Sequence, residues 1–328
     1  MNMLHFFTLH LQHYKRDIRS NSTFFNPLTK RIDNFFAYWQ FLKNRYFTMS
    51  AFMSFITAPD FLTQMIWMAF AGALSGILAG LLGIGGGAVL VPVLYEFFGL
   101  MGVDEAVRTH LAVGTSLGVI VPTSIRSFLS HKKRGAVDMN ILKIWFVPLS
   151  VGVILGAISM LYISGVGLRA IFGIITFFIG LKMILNLEKF RLGQDIPSRP
   201  LMSVYGFMIG YISKLMGIGG GVMGNTVLTL YNRPIHQAVA TSSGLGVMIA
   251  IPGVVGDMVI GWSQMDILPI GSIGYVSIVG VLLLTPTSVL CAPLGVKIAH
   301  ALPKRWLEIA FAVFLFSVSA RFLYTVIS

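Results

Sequence analysis

From Phe61 onward the chain is a succession of apolar runs separated by short polar stretches, and no ordinary soluble fold can hide that much apolar surface. Runs lie near 61–82, 86–99, 109–128, 141–163, 168–187, 201–216, 219–231, 237–256, 268–299 and 306–327. A helix that crosses a bilayer needs roughly 20 predominantly apolar residues. Only 11% of the 328 residues are charged, against roughly a quarter in a soluble domain, while 55% are hydrophobic. Lipid must therefore be the solvent for much of the chain. The pattern predicts an all-α integral membrane protein. Two runs, 86–99 and 219–231, are short for a span, and each follows the same five residues, GIGGG.

Charge and cysteine usage exclude other classes. The net charge of +12 does not gather on one basic face but sits at the ends of apolar runs, where positive residues orient membrane proteins. Nucleic acid is not expected as a partner. The single cysteine, Cys291, lies in an apolar run, so no internal disulfide and no Cys/His metal cluster is expected. Residues 1–57 differ from the rest. "TKRIDNFFAYWQFLKNRYF" mixes Lys30, Arg31, Lys43 and Arg45 with aromatics, as an interfacial amphipathic segment does, although a disordered tail is also compatible. His5, His10 and His13 in that tail lack the spacing of a metal site and read as surface residues.

The GIGGG motif recurs at Gly83–Gly87 and Gly217–Gly221, an offset of 217 − 83 = 134. "AVGTSLG" from Ala112 then matches "AVATSSG" from Ala238 at 238 − 112 = 126, and Leu155 onward matches Leu294 onward at 139. The chain thus reads as one unit written twice, over 58–195 and 196–328. Loop charges test orientation. "HKKRG" carries Lys132, Lys133 and Arg134, where the second copy has Met258, Val259 and Ile260. Lys304 and Arg305 in "HALPKRW" fall where the first copy has no charge before Arg169. Positive residues mark the cytoplasmic side of short loops. Equivalent loops therefore face opposite sides, and the repeats are predicted to be inverted, with about 5+5 helices including glycine-broken ones. The rival count is eight crossings plus two re-entrant segments.

Glycine costs a helix interior about 1 kcal/mol against alanine, so three in a row need a reason. Phosphate binding lacks its context, since no strand precedes either copy and no Walker lysine follows. Small residues also let membrane helices pack closely, and Gly80, Gly83 and Gly87 have suitable spacing. A deliberate break is the third reading. Inside a membrane, irregular backbone is tolerated only where protein buries it or a cavity needs it. Two breaks at corresponding positions of two repeats point to a midplane transport site, with free helix N–H groups facing an anion.

Two GIGGG motifs, each followed by an "A-V-x-T-S" stretch, resemble the TauE/SafE sulfite and organosulfonate exporters of the TSUP permeases. The likeness covers about 61–328. It implies a multi-pass inner-membrane permease for small sulfur-containing anions. One departure matters: Asn225 and Thr226 in the second copy stand where the first has Val91 and Pro92.

The expected substrate contacts are Gly83, Gly85, Gly86, Gly87, Gly217, Gly219, Gly220 and Gly221 of the breaks, together with Thr115, Ser116, Thr241 and Ser242, Lys214 and Asn225. Each Thr-Ser pair is expected to start a helix, where a hydroxyl can cap or donate to an anion. Lys214 lies inside an apolar run, and a charge there is a functional candidate by default. Arg126 reads as a helix anchor or a vestibule residue, Lys182 and Arg321 as anchors. Glu96 and Asp257 are the acids near apolar runs, with no partner visible in the sequence. The predicted function is a secondary transporter of a small sulfur-containing or other organic anion, such as sulfite or a sulfonate, by alternating access at a site between the two GIGGG breaks, without cofactor or metal, in the inner plasma membrane. An anion channel is the alternative, and a homo-oligomer is compatible with either. An enzyme is disfavoured, because the apolar body holds no catalytic or metal-ligand cluster.

Overall fold

The computed structural model describes residues 61–82, 86–185, 191–301 and 304–327. The expectations for residues 1–57, and for Gly83 and Gly85, lie outside the described residues. The described residues form ten α-helices in order: α1 Phe61–Leu82, α2 Gly87–Leu100, α3 Glu105–Lys133, α4 Met139–Ser159, α5 Gly165–Ile184, α6 Arg199–Met216, α7 Gly221–Leu230, α8 Ile235–Ile260, α9 Ile278–Ala301 and α10 Lys304–Ile327. A two-stranded antiparallel hairpin, β1 Ser272–Ile273 and β2 Val276–Ser277, stands before α9. The apolar run 268–299 is therefore not one helix. Gly271 and Gly274 take φ of 83° and 53°, a backbone open to glycine, and turn the chain there.

Local chemistry sets the helix ends. Asp104 caps α3, its Oδ1 accepting from the Ala106 N–H at 2.8 Å, and Glu105 adds a negative charge to the first turn. The helix thus begins at Glu105, within the polar stretch 101–108 that a reading by apolarity assigns to a connection. His131, Lys132 and Lys133 sit at its other end, where positive charge suits the dipole. Asp138 caps α4 through the Asn140 and Ile141 N–H groups, and Ser164 caps α5 through Gly167.

Six of the helices are long and apolar enough to cross a membrane: α3, α4, α5, α8, α9 and α10. At 1.5 Å per residue, the 14 residues of α2 and the 10 of α7 reach only about 21 and about 15 Å, short of a hydrocarbon core roughly 30 Å thick. The helices pack chiefly as α1 on α9, α4 on α6, α5 on α10 and α3 on α8. Further, α2 lies on α3, α7 on α8, α9 on α3 and α4 on α8. Glycines let these backbones approach. A methyl group at Gly76 would fall 2.1 Å from the Ser288 carbonyl oxygen of α9, and one at Gly210 only 2.3 Å from that of Leu149 on α4. The centre of the bundle is α3 and α8, with Leu111, Leu117, Ile120, Leu245 and Ile249 fully buried.

Candidate functional site: two touching helix breaks

The second GIGGG motif is a true helix break. α6 stops at Met216, and Gly217 takes the left-handed φ of 64°. The Ile218 N–H reaches back to the Ser213 carbonyl at 3.0 Å and the Gly217 N–H to that of Lys214 at 3.3 Å, a Schellman ending. Gly220, with φ of 68°, then launches α7. In the first motif Gly86 has φ of 74° and launches α2. Neither Gly86 nor Gly220 offers a side chain, so no N-cap side chain covers the first N–H groups of α2 and α7.

The two breaks touch each other. Gly87 is seated so closely that a methyl group on it would fall 2.4 Å from the Gly217 carbonyl oxygen and 2.8 Å from the Ile218 Cα. That same carbonyl accepts a hydrogen bond from the Ser116 hydroxyl at 2.9 Å. Gly219 lies opposite Gly246 of α8. Gly86, Gly87, Gly217, Gly219, Gly220 and Gly221 are all buried, so residues separated by some 130 positions in sequence form one enclosed backbone junction.

The Thr-Ser pairs lie elsewhere than expected. They do not start helices: Thr115 and Ser116 are in the middle of α3, and Thr241 and Ser242 are in the second turn of α8. The charged first turn of α3 is the reason for the first misplacement, and the start of α8 after Pro234 for the second. Thr115 Oγ1 accepts from the Ser277 N–H at 2.9 Å, just before α9. Thr241 Oγ1 accepts from the Asp138 N–H at 3.0 Å, just before α4. The two threonines do the same work for different helices. Thr115→Val is expected to destabilise the protein by about 1–3 kcal/mol, because it strands the buried Ser277 N–H, and Thr241→Val by less, because the Asp138 N–H is only partly buried. Thermal unfolding in detergent checks this.

Ser242 Oγ and Asn225 Oδ1 are buried without a hydrogen-bond partner among the described residues. Ser242 Oγ faces Gly224 of α7, where a methyl group would meet it at 3.0 Å, so both orphans border the second break. Beside Asn225, Thr226 accepts from Lys182 Nζ at 2.7 Å, which makes Lys182 a tether for α7 rather than a plain interfacial anchor.

Lys214 is fully buried, and its partner is Asp257 on α8, also fully buried, with Nζ 2.7 Å from Oδ1. The sequence offers no local sign of this pair, since the residues are 43 apart. Glu96 has a partner too: Arg321 lies 2.6 Å away, both side chains being substantially exposed. Arg169, passed over as a mere charge in the sequence, is buried between Glu105 and Tyr95 and hydrogen-bonds both. Arg126 lines a pocket of about 100 Å³ with Ser130 and Arg134 at the end of α3 and Lys297 of α9.

A bundle of apolar helices around a buried junction of helix breaks defines a multi-pass, all-α membrane protein. Residues 68–322 match the sulfite exporter TauE/SafE family, and the chain belongs to that family. It is 33% identical over 258 residues to a probable membrane transporter protein of Haemophilus influenzae, covering 78% of this chain and 97% of that one. A probable membrane transporter protein of Methanocaldococcus jannaschii is 28% identical over 76% of this chain and 92% of its own length. One from Bacillus subtilis, YunE, is 29% identical over 60% and 80%. No solved structure matches the chain. The protein is thus a membrane permease, not an enzyme.

Proposed function

We propose that this permease is a secondary transporter of a small sulfur-containing anion, sulfite or a sulfonate, in the inner plasma membrane, and that it works by alternating access around the touching breaks. The contact of Gly87 with Gly217 carries the proposal. Unwound backbone and uncapped helix N-termini meeting inside a membrane protein are the construction that transporters use to hold ions. The cation-lined pocket of Arg126, Arg134 and Lys297 supports an anion as cargo. It lies at the positively charged end of α3, the cytoplasmic end by the positive-inside rule, and serves as the entry vestibule. The burial of every described glycine of the two breaks fits a closed intermediate of a transporter better than the continuous polar pore of a channel.

Two inverted repeats complete the proposal. Gly72 and Gly76 stand 11 and 7 residues before Gly83, as Gly206 and Gly210 stand before Gly217. Exchanging the halves turns the α1–α9 pairing into α6–α4 and the Thr115 hydrogen bond into that of Thr241. If α1–α2 and α6–α7 act as hairpins, three crossings remain in each half. An odd number gives the halves opposite orientation, in keeping with the reversed loop charges.

Reconstituted protein should exchange sulfite, methanesulfonate or taurine across vesicles in counterflow, and carboxylate analogues should compete weakly or not at all. No counterflow with any of the three would reject the proposed cargo. Arg126→Ala and Lys297→Ala are each expected to raise the half-saturating anion concentration several-fold on the cytoplasmic side, with the effect shrinking as salt screens the pocket. An unchanged concentration dependence in both would remove the pocket from the pathway.

A further inference from the structure

The Lys214–Asp257 pair is incompletely satisfied for a purely structural element. Burying two charges is favourable only when the remaining hydrogen-bond positions are filled. Here Asp257 Oδ2 has no partner among the described residues. The second neighbour of Lys214 Nζ is the Met160 thioether, a weak acceptor, at 2.8 Å. The fold nevertheless makes room for this arrangement. The lysine stem runs between two glycines: a methyl group at Gly156 of α4 would lie 3.1 Å from its Cβ and Cγ, and one at Gly253 of α8 would lie 3.4 Å from its Cδ. The Asp257 carbonyl accepts from the Tyr275 N–H of the hairpin at 3.0 Å.

A second orphan acceptor adjoins the pair. His110 Nε2 faces the carbonyls of Met160 and Ile163 at 3.3 and 3.1 Å, so that nitrogen is the donor. Nδ1 is buried and has no hydrogen-bond partner among the described residues; in the neutral ring it carries the free lone pair. The ring packs on Tyr275 at 5.0 Å between centroids. The titratable groups facing the pair are thus His110 of α3 and Tyr275 of the hairpin, while α4 presents Gly156 and, at its end, Met160. Asp257 Oδ2 and His110 Nδ1, both without a partner among the described residues, and the Lys214 ammonium are enclosed where α3, α4, α6 and α8 meet, with Lys214 three residues before the second break.

We propose that Lys214 and Asp257 form the proton switch of the transport cycle: a proton bound at Asp257 Oδ2 neutralises the carboxylate and releases the Lys214 ammonium to hold the anion. The inference rests on the anion-transport reading above. The lysine keeps its proton and charge, and the proton on Asp257 comes from solvent. One proton and one monovalent anion then move together, and the loaded site carries no net charge. Proton and anion favour each other's binding reciprocally. His110 orients the cluster through its carbonyl bonds.

Full-length protein in proteoliposomes with labelled methanesulfonate, an anion that does not itself titrate, tests this. With one proton per anion, an inward gradient of about one pH unit should drive about tenfold accumulation, and a potassium diffusion potential of either sign should leave it unchanged. Asp257→Asn should lose the response to the gradient, whatever its absolute rate. Accumulation that follows the potential and ignores the pH gradient overturns the switch while leaving anion transport intact. No entry under either force counts against the cargo instead. Infrared difference spectra on acidification then decide the switch separately. A protonated-carboxyl band absent from Asp257→Asn supports it, and no such band rejects it.

Discussion

Gly87→Ala is expected to slow transport at least about fivefold while the protein still folds and inserts. The added methyl group has nowhere to go: it would fall 2.4 Å from the Gly217 carbonyl oxygen and 2.8 Å from the Ile218 Cα, both backbone atoms of the facing break. Overpacking of this kind typically costs about 1–3 kcal/mol. The whole cost falls on conformations in which the breaks touch, so it shifts the balance of the cycle by roughly 5- to 150-fold. Gly87 is the informative position because it is already helical. Gly86 and Gly220 carry φ near 70°, so substitutions there mix backbone strain with contact. Gly167→Ala is the matched control. In the first turn of α5, its methyl group meets only the Ile163 and Ser164 side chains, at 3.0 and 3.5 Å. Counterflow at equal reconstituted amounts is the measurement. A Gly87→Ala protein that transports at the wild-type rate would show that the junction is packing and no more.

How far the sequence reveals this architecture depends on which forces are local. Apolar runs and glycine punctuation are local, and they locate helices well. The run 61–82 is α1, and the short runs after GIGGG are α2 and α7 to within two residues. The breaks themselves were legible for the same reason: φ near 70° needs glycine. Their mutual contact was not, because nothing at Gly87 announces Gly217. Polar partnerships failed most often. Asp257 meets Lys214, Glu105 meets Arg169 and Glu96 meets Arg321 across 43 to 225 residues of chain, and each partner alone resembles an anchor or a stray charge. The start of α3 was hidden because its first turn is stabilised by a cap and a charge rather than by apolarity. The hairpin before α9 was hidden by its own burial: Tyr275 and Val276 are as apolar as a span.

Lys214→Met is expected to destabilise the protein by about 3–5 kcal/mol, because it leaves the Asp257 charge buried without its counter-ion. Asp257→Leu alone should cost a similar amount for the converse reason. The double variant Lys214→Met/Asp257→Leu should recover most of that loss, since two neutral side chains of comparable volume replace a pair whose Oδ2 is already unsatisfied. The glycines on either side of the lysine stem already fit an unbranched chain, and methionine follows the same course. Denaturant unfolding in lipid–detergent micelles, run as a double-mutant cycle, gives the coupling energy directly. Costs that simply add in the double variant would mean that Lys214 and Asp257 do not interact in solution, and the proton switch would fall with them. Recovery of stability without recovery of pH-gradient-driven uptake is the result that separates function from folding. The pair would then be dispensable for holding α6 to α8 but required for moving the anion with its proton.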